Sequence, residues 1–353
     1  MFRSIIAGLP EGPVRGFASR GPELAPGLLV SVTIAMASTF LSDHYGGPVM
    51  LFALLLGIAF NFLSAEGRCE AGIGFAGRTV LRFGVGLLGA RITLDEVMTL
   101  GPTPLVVAVA GVALTLLCGL VVARAMGFNR DFGILTGGAV GICGASAALA
   151  LSSVLPRRAE DGPARADRPG ISERDTIFTV LGVTTLSTVA MVVYPILASM
   201  LGLGDRAAGI FLGATIHDVA QVVGAGYSIS TQAGDAATLT KLLRVAMLVP
   251  VVLALTLVLA RGGGGASGQR ARFPFFLVAF VALVAINSLG LIPPALGAAI
   301  SDLSRWSLVT AIAALGMRTA LKDLAAVGPK ALALLVIESV WIAAIGLGVV
   351  MLG

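Results

Sequence analysis

The stretch Leu88-Gly89-Ala90-Arg91-Ile92-Thr93-Leu94-Asp95-Glu96-Val97 returns 227 residues later as Leu315-Gly316-Met317-Arg318-Thr319-Ala320-Leu321-Lys322-Asp323-Leu324. Both copies run on to a Gly-Pro pair, Gly101-Pro102 and Gly328-Pro329. One apolar segment earlier, Pro48 and Asn61 match Pro274 and Asn287 at nearly the same offset. Chance likeness between Leu-, Gly- and Ala-rich helices is the alternative. The matched prolines and polar residues argue against it, because composition alone does not align them.

The surroundings of these copies say what they are. Of 353 residues, 57% are hydrophobic and 12% charged, and the mean hydropathy is +0.97. An ordinary soluble domain carries roughly a quarter charged residues. A soluble core of this length could not hide so much apolar surface, whereas a bilayer replaces water around it. A helix needs about 20 apolar residues to cross the hydrocarbon core. Eleven segments meet or approach that length: Leu24–Leu41, Pro48–Ser64, Gly72–Ala90, Pro104–Ala123, Phe132–Leu155, Ile177–Leu201, Ala207–Ser230, Leu239–Ala260, Pro274–Leu291, Leu303–Leu321 and Ala331–Leu352. None alternates as a strand does. The expectation is an all-α integral membrane protein, with residues 1–23 an N-terminal tail and 24–353 a single polytopic domain. Its repeat-like halves are 24–124 and 239–353. The copies are seven segments apart, an odd number, so they face opposite ways if all the intervening segments span. Inverted repeats recur in secondary transporters, which bind substrate where the repeats meet near the midplane.

The net charge of +5 and pI of 9.6 do not point to nucleic acid. The basic residues sit in short loops, where they set membrane orientation. With eleven spans, Lys and Arg divide 14 against 9 between the two sides. If segments five and seven are re-entrant hairpins, the division is 18 against 5. Both segments carry glycine and polar atoms at their middles, and non-helical backbone at that depth must be buried in protein or line a cavity. The hairpin arrangement puts the N-terminus inside and the C-terminus outside. Residues 1–23 make a poor signal peptide, with Pro10 and Pro13 beside a short apolar patch. Gly262–Gly265 reads as a flexible linker. Cys69, Cys118 and Cys143 have no metal-type or CxxC spacing, so neither a disulfide framework nor a metal site is expected.

Polar groups at membrane depth cost about 2.5–3.5 kcal/mol when charged, so each invites a reason. Arg82 lies among Gly84, Gly86 and Gly89; a helix broken there would offer backbone amides and positive charge to an anion. The alternative is an arginine snorkelling to a headgroup. His217, Asp218 and Gln221 form the densest polar cluster within an apolar segment. His217 and Gln221 would share a helical face, and His217 could couple transport to protons; a hydrogen-bond network between helices is the alternative. In Gly137-Gly138-Ala139-Val140-Gly141-Ile142-Cys143-Gly144-Ala145-Ser146, small residues would let amides and the Ser146 hydroxyl face a ligand. Cys143 is either a small core residue or a thiol lining the site. Glu338, the lone carboxylate of the last segment, could carry a proton if buried or sit solvated near a helix end. Asn61 and Asn287 either face the midplane as a pseudo-symmetric pair or bond between helices. No nucleophile is positioned beside a base, so an enzyme is not expected.

The stretch Leu81–Thr93, then Gly141-Ile142-Cys143-Gly144-Ala145-Ser146-Ala147, then His217-Asp218-Val219-Ala220-Gln221-Val222-Val223 resembles the YeiH-type family of bacterial sulfate exporters, from about Pro26 to the C-terminus. The resemblance implies a multi-pass inner-membrane protein, distantly related to cation/proton antiporters and bile-acid-type transporters. The N-terminal tail and the Arg-rich loop Arg157–Arg174 depart from that pattern. The leading expectation is export of sulfate or a related small sulfur oxyanion. Arg82, Gly84, Gly86, Cys143, Gly144, Ser146, His217, Asp218, Gln221, Asn61 and Asn287 would bind the anion, and His217, Asp218 and Glu338 would handle protons. Cation/proton antiport and a membrane-embedded enzyme are the alternatives. No cofactor and no nucleic acid are expected; the partners would be the anion, the bilayer and, as an assembly, a homodimer.

Overall fold

The computed structural model describes residues 13–45, 48–65, 67–158, 169–261, 275–319 and 328–352. Residues 1–12 of the expected tail, Gly262–Gly265 and positions 320–324 of the second repeat copy lie outside them. The described residues are helical almost throughout, as a solvent without hydrogen-bond partners requires of a backbone.

In chain order the main helices are α1 (Pro13–Tyr45), α2 (Val49–Ala59), α3 (Glu70–Leu88), α4 (Thr103–Ala125), α5 (Arg130–Gly141), α6 (Ala145–Ser152), α7 (Glu173–Met200), α8 (Asp205–Thr215), α9 (Val219–Ile229), α10 (Thr231–Ala246) with its continuation α11 (Leu248–Arg261), α12 (Phe275–Ser288), α13 (Pro294–Arg318) and α14 (Pro329–Leu352). Seven of these stretches are long and apolar enough to cross a membrane: α1, α3, α4, α7, α10 with α11, α13 and α14. Helices α2, α9 and α12 are shorter and apolar. The first helix begins at Pro13, inside the expected tail.

Segments five and seven do not run straight. Asn129 caps α5 by accepting from the Phe132 amide. Helix α5 then packs in the opposite sense along α4, with Gly133 against Gly119 and Ala123, and Gly137 against Thr115. The chain breaks at Ile142-Cys143-Gly144 and returns as α6, so that Leu151 lies against Gly138. Past α6, Gly170 donates to Asp131 Oδ2 at 2.7 Å, back at the start of α5. This is the first hairpin. The second breaks at Ile216-His217-Asp218. Gly209 and Gly213 of α8 seat on Ala233 and Ala237 of α10 in the same order, whereas Gly226, near the end of α9, meets Gly234, near the start of α10. Thus α8 and α9 run in opposite directions. Helix α7 joins the two mouths with 28 residues, about 42 Å of helix, so the hairpins enter from opposite sides.

Their tips meet. Gly144 has φ +65° and ψ −126°, a conformation that glycine adopts without steric cost. A Cβ there would lie 3.6 Å from His217.

Two bodies surround this crossing. One packs α1, α2, α3, α12 and α13 together; the other wraps α4, α7, α10 and α14 around the hairpins. They touch chiefly where α9 lies against α2 and α13. Exposed apolar residues such as Leu117 and Val121 on α4 and Val340 on α14 are the outer surface that lipid, not water, would solvate.

Candidate functional site

The hairpin tips present the carboxyl ends of α5 and α8, where the last carbonyls of each helix lack intrahelical partners and the helix dipoles are negative. Two cations from α10 meet them. Lys241 donates to Ile142 O at 2.8 Å and to Ile216 O at 2.9 Å. Arg244 donates through Nε to Gly141 O at 2.9 Å and through Nη2 to Val140 O at 2.8 Å. Its Nη1 reaches Ala214 O and, at 3.3 Å, Gly213 O. Both side chains are 0% exposed. Among the described residues, neither has a carboxylate within ion-pair distance. The two cations therefore hold both tips by their backbones.

Sequence reasoning missed this pair. It started the eighth segment at Leu239, which puts Lys241 and Arg244 at a helix end, where they counted as loop charges. The helix starts eight residues earlier, at Thr231, capped by Ser230, whose hydroxyl accepts from the Ala233 amide. Both cations thus sit at mid-depth. The signal available was the spacing: positions i and i+3 share a helical face. With these two removed from the loops, the sparser side keeps three basic residues, Arg91, Arg206 and Arg305.

A cavity of about 400 Å³ opens beside the crossing, between the two bodies. Arg78, Arg82, Cys143, Ser146 and Asp218 line it, with Phe275 and Phe276 of α12. Arg82, Cys143, Ser146 and Asp218 come together as the sequence suggested. Asp218 caps α9 by accepting from the Ala220 amide at 3.0 Å, and Arg82 is near enough to act on its charge. Ser146 lies in the first turn of α6, whose cap Gly144 has no side chain to offer its amides, while the Ala147 amide reaches the Cys143 sulfur.

Helix α3 is not broken at Gly84 or Gly86. It stays helical, with a π-helical segment at Ala76–Val80 that carries Arg78. Such an extra residue in a turn changes the direction of the side chains around it. Gly84 instead seats Ser307 and Leu308 of α13, and Gly86 faces α12. These two glycines serve helix packing, because both lie on the face of α3 turned to its own body.

His217 and Gln221 do not share a helical face, since the break at Ile216–Asp218 removes the turn between them. His217 is buried and points away from the cavity to Ser339 of α14, at 2.9 Å from Nε2. The Ser339 hydroxyl already donates to Leu335 O. The Val140 carbonyl also lies close to the imidazole. Gln221 is buried, with its amide nitrogen 3.5 Å from Thr188 Oγ1 and its Oε1 unpartnered. Glu338 neighbours Ser339 and is wholly buried; Thr136 of α5 donates to its Oε1 at 2.8 Å, and its Oε2 has no partner. Glu338 and Ser339 thus touch one hairpin each.

Asn61 and Asn287 are not among the residues that line the cavity, and they act reciprocally. Asn61 donates to Met317 O at 2.6 Å, at the end of α13. Asn287 donates to Ile92 O at 3.2 Å, just past α3. Asn61 thus serves a carbonyl at the end of α13, and Asn287 one just past the end of α3. Gly316 seats against Leu54, and Gly89 against Phe280, in the same reciprocal way.

Fold and site define a multi-pass membrane protein built around two opposed helical hairpins. The profile of the family described as conserved hypothetical protein 698 matches residues 26–335. The chain is 53% identical to a UPF0324 membrane protein of Chlorobaculum tepidum, over 96% of this chain and 92% of the relative. It is 52% identical to the UPF0324 membrane protein TauZ of Paracoccus denitrificans, over 90% of this chain and 92% of that one. A UPF0324 membrane protein of Caulobacter vibrioides is 37% identical over 91% of this chain and 67% of its own length. The chain belongs to the UPF0324 family of bacterial membrane proteins, the family to which the YeiH-type resemblance pointed.

Proposed function

We propose that the protein is a secondary transporter that exports sulfate or a related small sulfur oxyanion. The observation that carries this reading is the meeting of two helix breaks, from opposite sides, beside a cavity lined by two arginines. Arg82 and Arg78 suit a tetrahedral oxyanion, because guanidinium presents paired donors to oxygen pairs. The Ser146 hydroxyl and the positive end of α6 add to the attraction for an anion. Asp218 faces the same space, and a bound anion favours its protonated form. Anion and proton would therefore travel together, with Glu338 and His217 as further proton-handling groups behind the tips.

The contact of Asn61 with Met317 and that of Asn287 with Ile92 correspond, as do those of Gly316 with Leu54 and Gly89 with Phe280; these matches support an inverted repeat comprising about 24–124 and 239–353. Helices α3 and α13 belong to one body and α4 and α14 to the other, so each copy contributes to both. Alternating access would follow from movement of the hairpin body against the body that holds α3 and α13. The Arg-rich mouth of the first hairpin would face the cytoplasm.

Cation/proton antiport fits less well, because the carbonyl-rich centre already holds Lys241 and Arg244. The experiment is purified protein in liposomes with labelled sulfate and an internal pH dye. Sulfate flux that Arg82→Ala abolishes supports the reading. A sodium-driven pH change without sulfate movement favours antiport. No flux of either kind from folded protein sinks both and reopens the enzyme.

A further inference from the structure

A second cavity, of about 420 Å³, lies between the same two bodies at the mouth of the second hairpin. Its lining includes Arg91, Tyr227, Thr231, Ser301, Asp302 and Arg305. The composition parallels that of the inner cavity: two arginines, one aspartate, and a hydroxyl residue in the first turn of a helix. Thr231 opens α10 as Ser146 opens α6.

The likeness extends to register. Arg305 and Leu308 of α13 stand 227 residues after Arg78 and Leu81 of α3, the offset of the repeated stretch. Arg78 and Leu81 line the inner cavity, and Arg305 and Leu308 line the outer one. The two helices pack in opposite senses, with Ser304 Oγ donating to Gly84 O at 2.7 Å and Gly77 against Leu315. Matched residues therefore appear at opposite faces of the molecule. Arg91 is engaged behind the cavity, 3.5 Å from Asp235 and over the Tyr227 ring. Arg305 is exposed and makes no hydrogen bond or ion pair among the described residues.

We propose that this outer cavity is a second docking site for the same class of small divalent oxyanion, entered from the face opposite the inner cavity, with Arg305 as its recognition residue. This rests on the oxyanion reading of the inner cavity. It goes beyond that reading by assigning the opposite face its own binding groups. Transport in one direction would then load at Arg78 and Arg82 and release past Arg305.

The test is protection of single introduced cysteines from a membrane-impermeant methanethiosulfonate reagent, with sulfate compared against chloride at equal ionic strength. Labelling of the parent, which carries Cys69, Cys118 and Cys143, is measured alongside and subtracted. Ser301→Cys is labelled from outside in spheroplasts, and Ala150→Cys, at the inner cavity, from inside in inverted vesicles. Sulfate is expected to slow labelling of Ser301→Cys several-fold and saturably. Adding Arg305→Gln should remove that protection and leave that of Ala150→Cys intact. Because Arg305 is exposed and unbonded, the Arg305→Gln protein should keep its size-exclusion profile. Protection of Ala150→Cys alone overturns this proposal and spares the inner site. Protection of Ser301→Cys that survives Arg305→Gln overturns the role given to Arg305. Protection at neither position overturns the oxyanion reading and this proposal with it.

Discussion

Replacing Arg244 by methionine removes the guanidinium and keeps much of the side-chain volume. Three carbonyls then lose a short contact: Val140, Gly141 and Ala214. A buried acceptor left unpaired costs about 1–3 kcal/mol, so the sum is roughly 3–9 kcal/mol. Whole domains are stable by only about 5–15 kcal/mol. Lys241 cannot take over, because its ammonium is held by Ile142 O and Ile216 O, one from each tip. The assay is a thermal melt in detergent followed by fluorescence-detected size exclusion, with Arg82→Met as the control. At about 2–4 °C per kcal/mol, Arg244→Met should lose on the order of 10 °C or yield no monodisperse peak. Arg82 lines open space, and its variant should stay within about 2 °C, as surface changes of under 0.5 kcal/mol do. An Arg244→Met protein that melts with the parent would refute the idea that this side chain joins the tips.

Glu338→Gln keeps an oxygen for Thr136 to donate to but cannot exchange a proton; it should fold normally and lose proton movement coupled to sulfate at least tenfold, read with an internal pH dye. Unchanged coupling would make Glu338 a packing group. Since two tethered cations already fill the carbonyl-rich crossing, melting temperature and sulfate flux should be the same in sodium and choline chloride; a saturable sodium-dependent rise in either contradicts this. Impermeant reagents should reach Glu173→Cys and Gln232→Cys from opposite faces, whereas eleven full spans would put them on one face. Gln232 is exposed in the first turn of α10. Asn61→Ala and Asn287→Ala should each cost about 1 kcal/mol and leave the KM for sulfate unchanged; a changed KM would return them to the site.

Much of this was legible in the sequence, for identifiable reasons. Membrane integration follows from segment length and the scarcity of charge. The hairpins were legible in charge asymmetry, because a returning segment puts Arg157, Arg158 and Arg174 on the side that already holds Arg124 and Arg130. Arg82, Cys143, Ser146 and Asp218, which share one cavity, stand out in the sequence because each is polar or reactive where apolar residues are the rule. What was missed came from treating segments as unbroken helices. His217 and Gln221 part company at a break that periodicity does not reveal. Gly84 and Gly86 suggest a broken helix that offers amides to an anion, and prove instead to be seats for neighbouring helices. Lys241 and Arg244 were discounted because two charges near an apolar boundary look like a loop. Their partners are carbonyls about 25 to 104 residues away, which no local pattern records.

The position of α10 in the chain has a consequence for how the molecule is made. Both hairpins emerge from the ribosome before Lys241 and Arg244 do. Until α10 follows, the carbonyl ends at Val140–Ile142 and Gly213–Ile216 have no cation to meet, and lipid supplies no substitute. The hairpins must therefore wait in water or at the translocon wall and enter the bilayer interior together with a helix synthesised after them. In this protein the centre of the fold cannot close until residue 244 of 353 has been made, which ties insertion of the hairpins to tertiary folding.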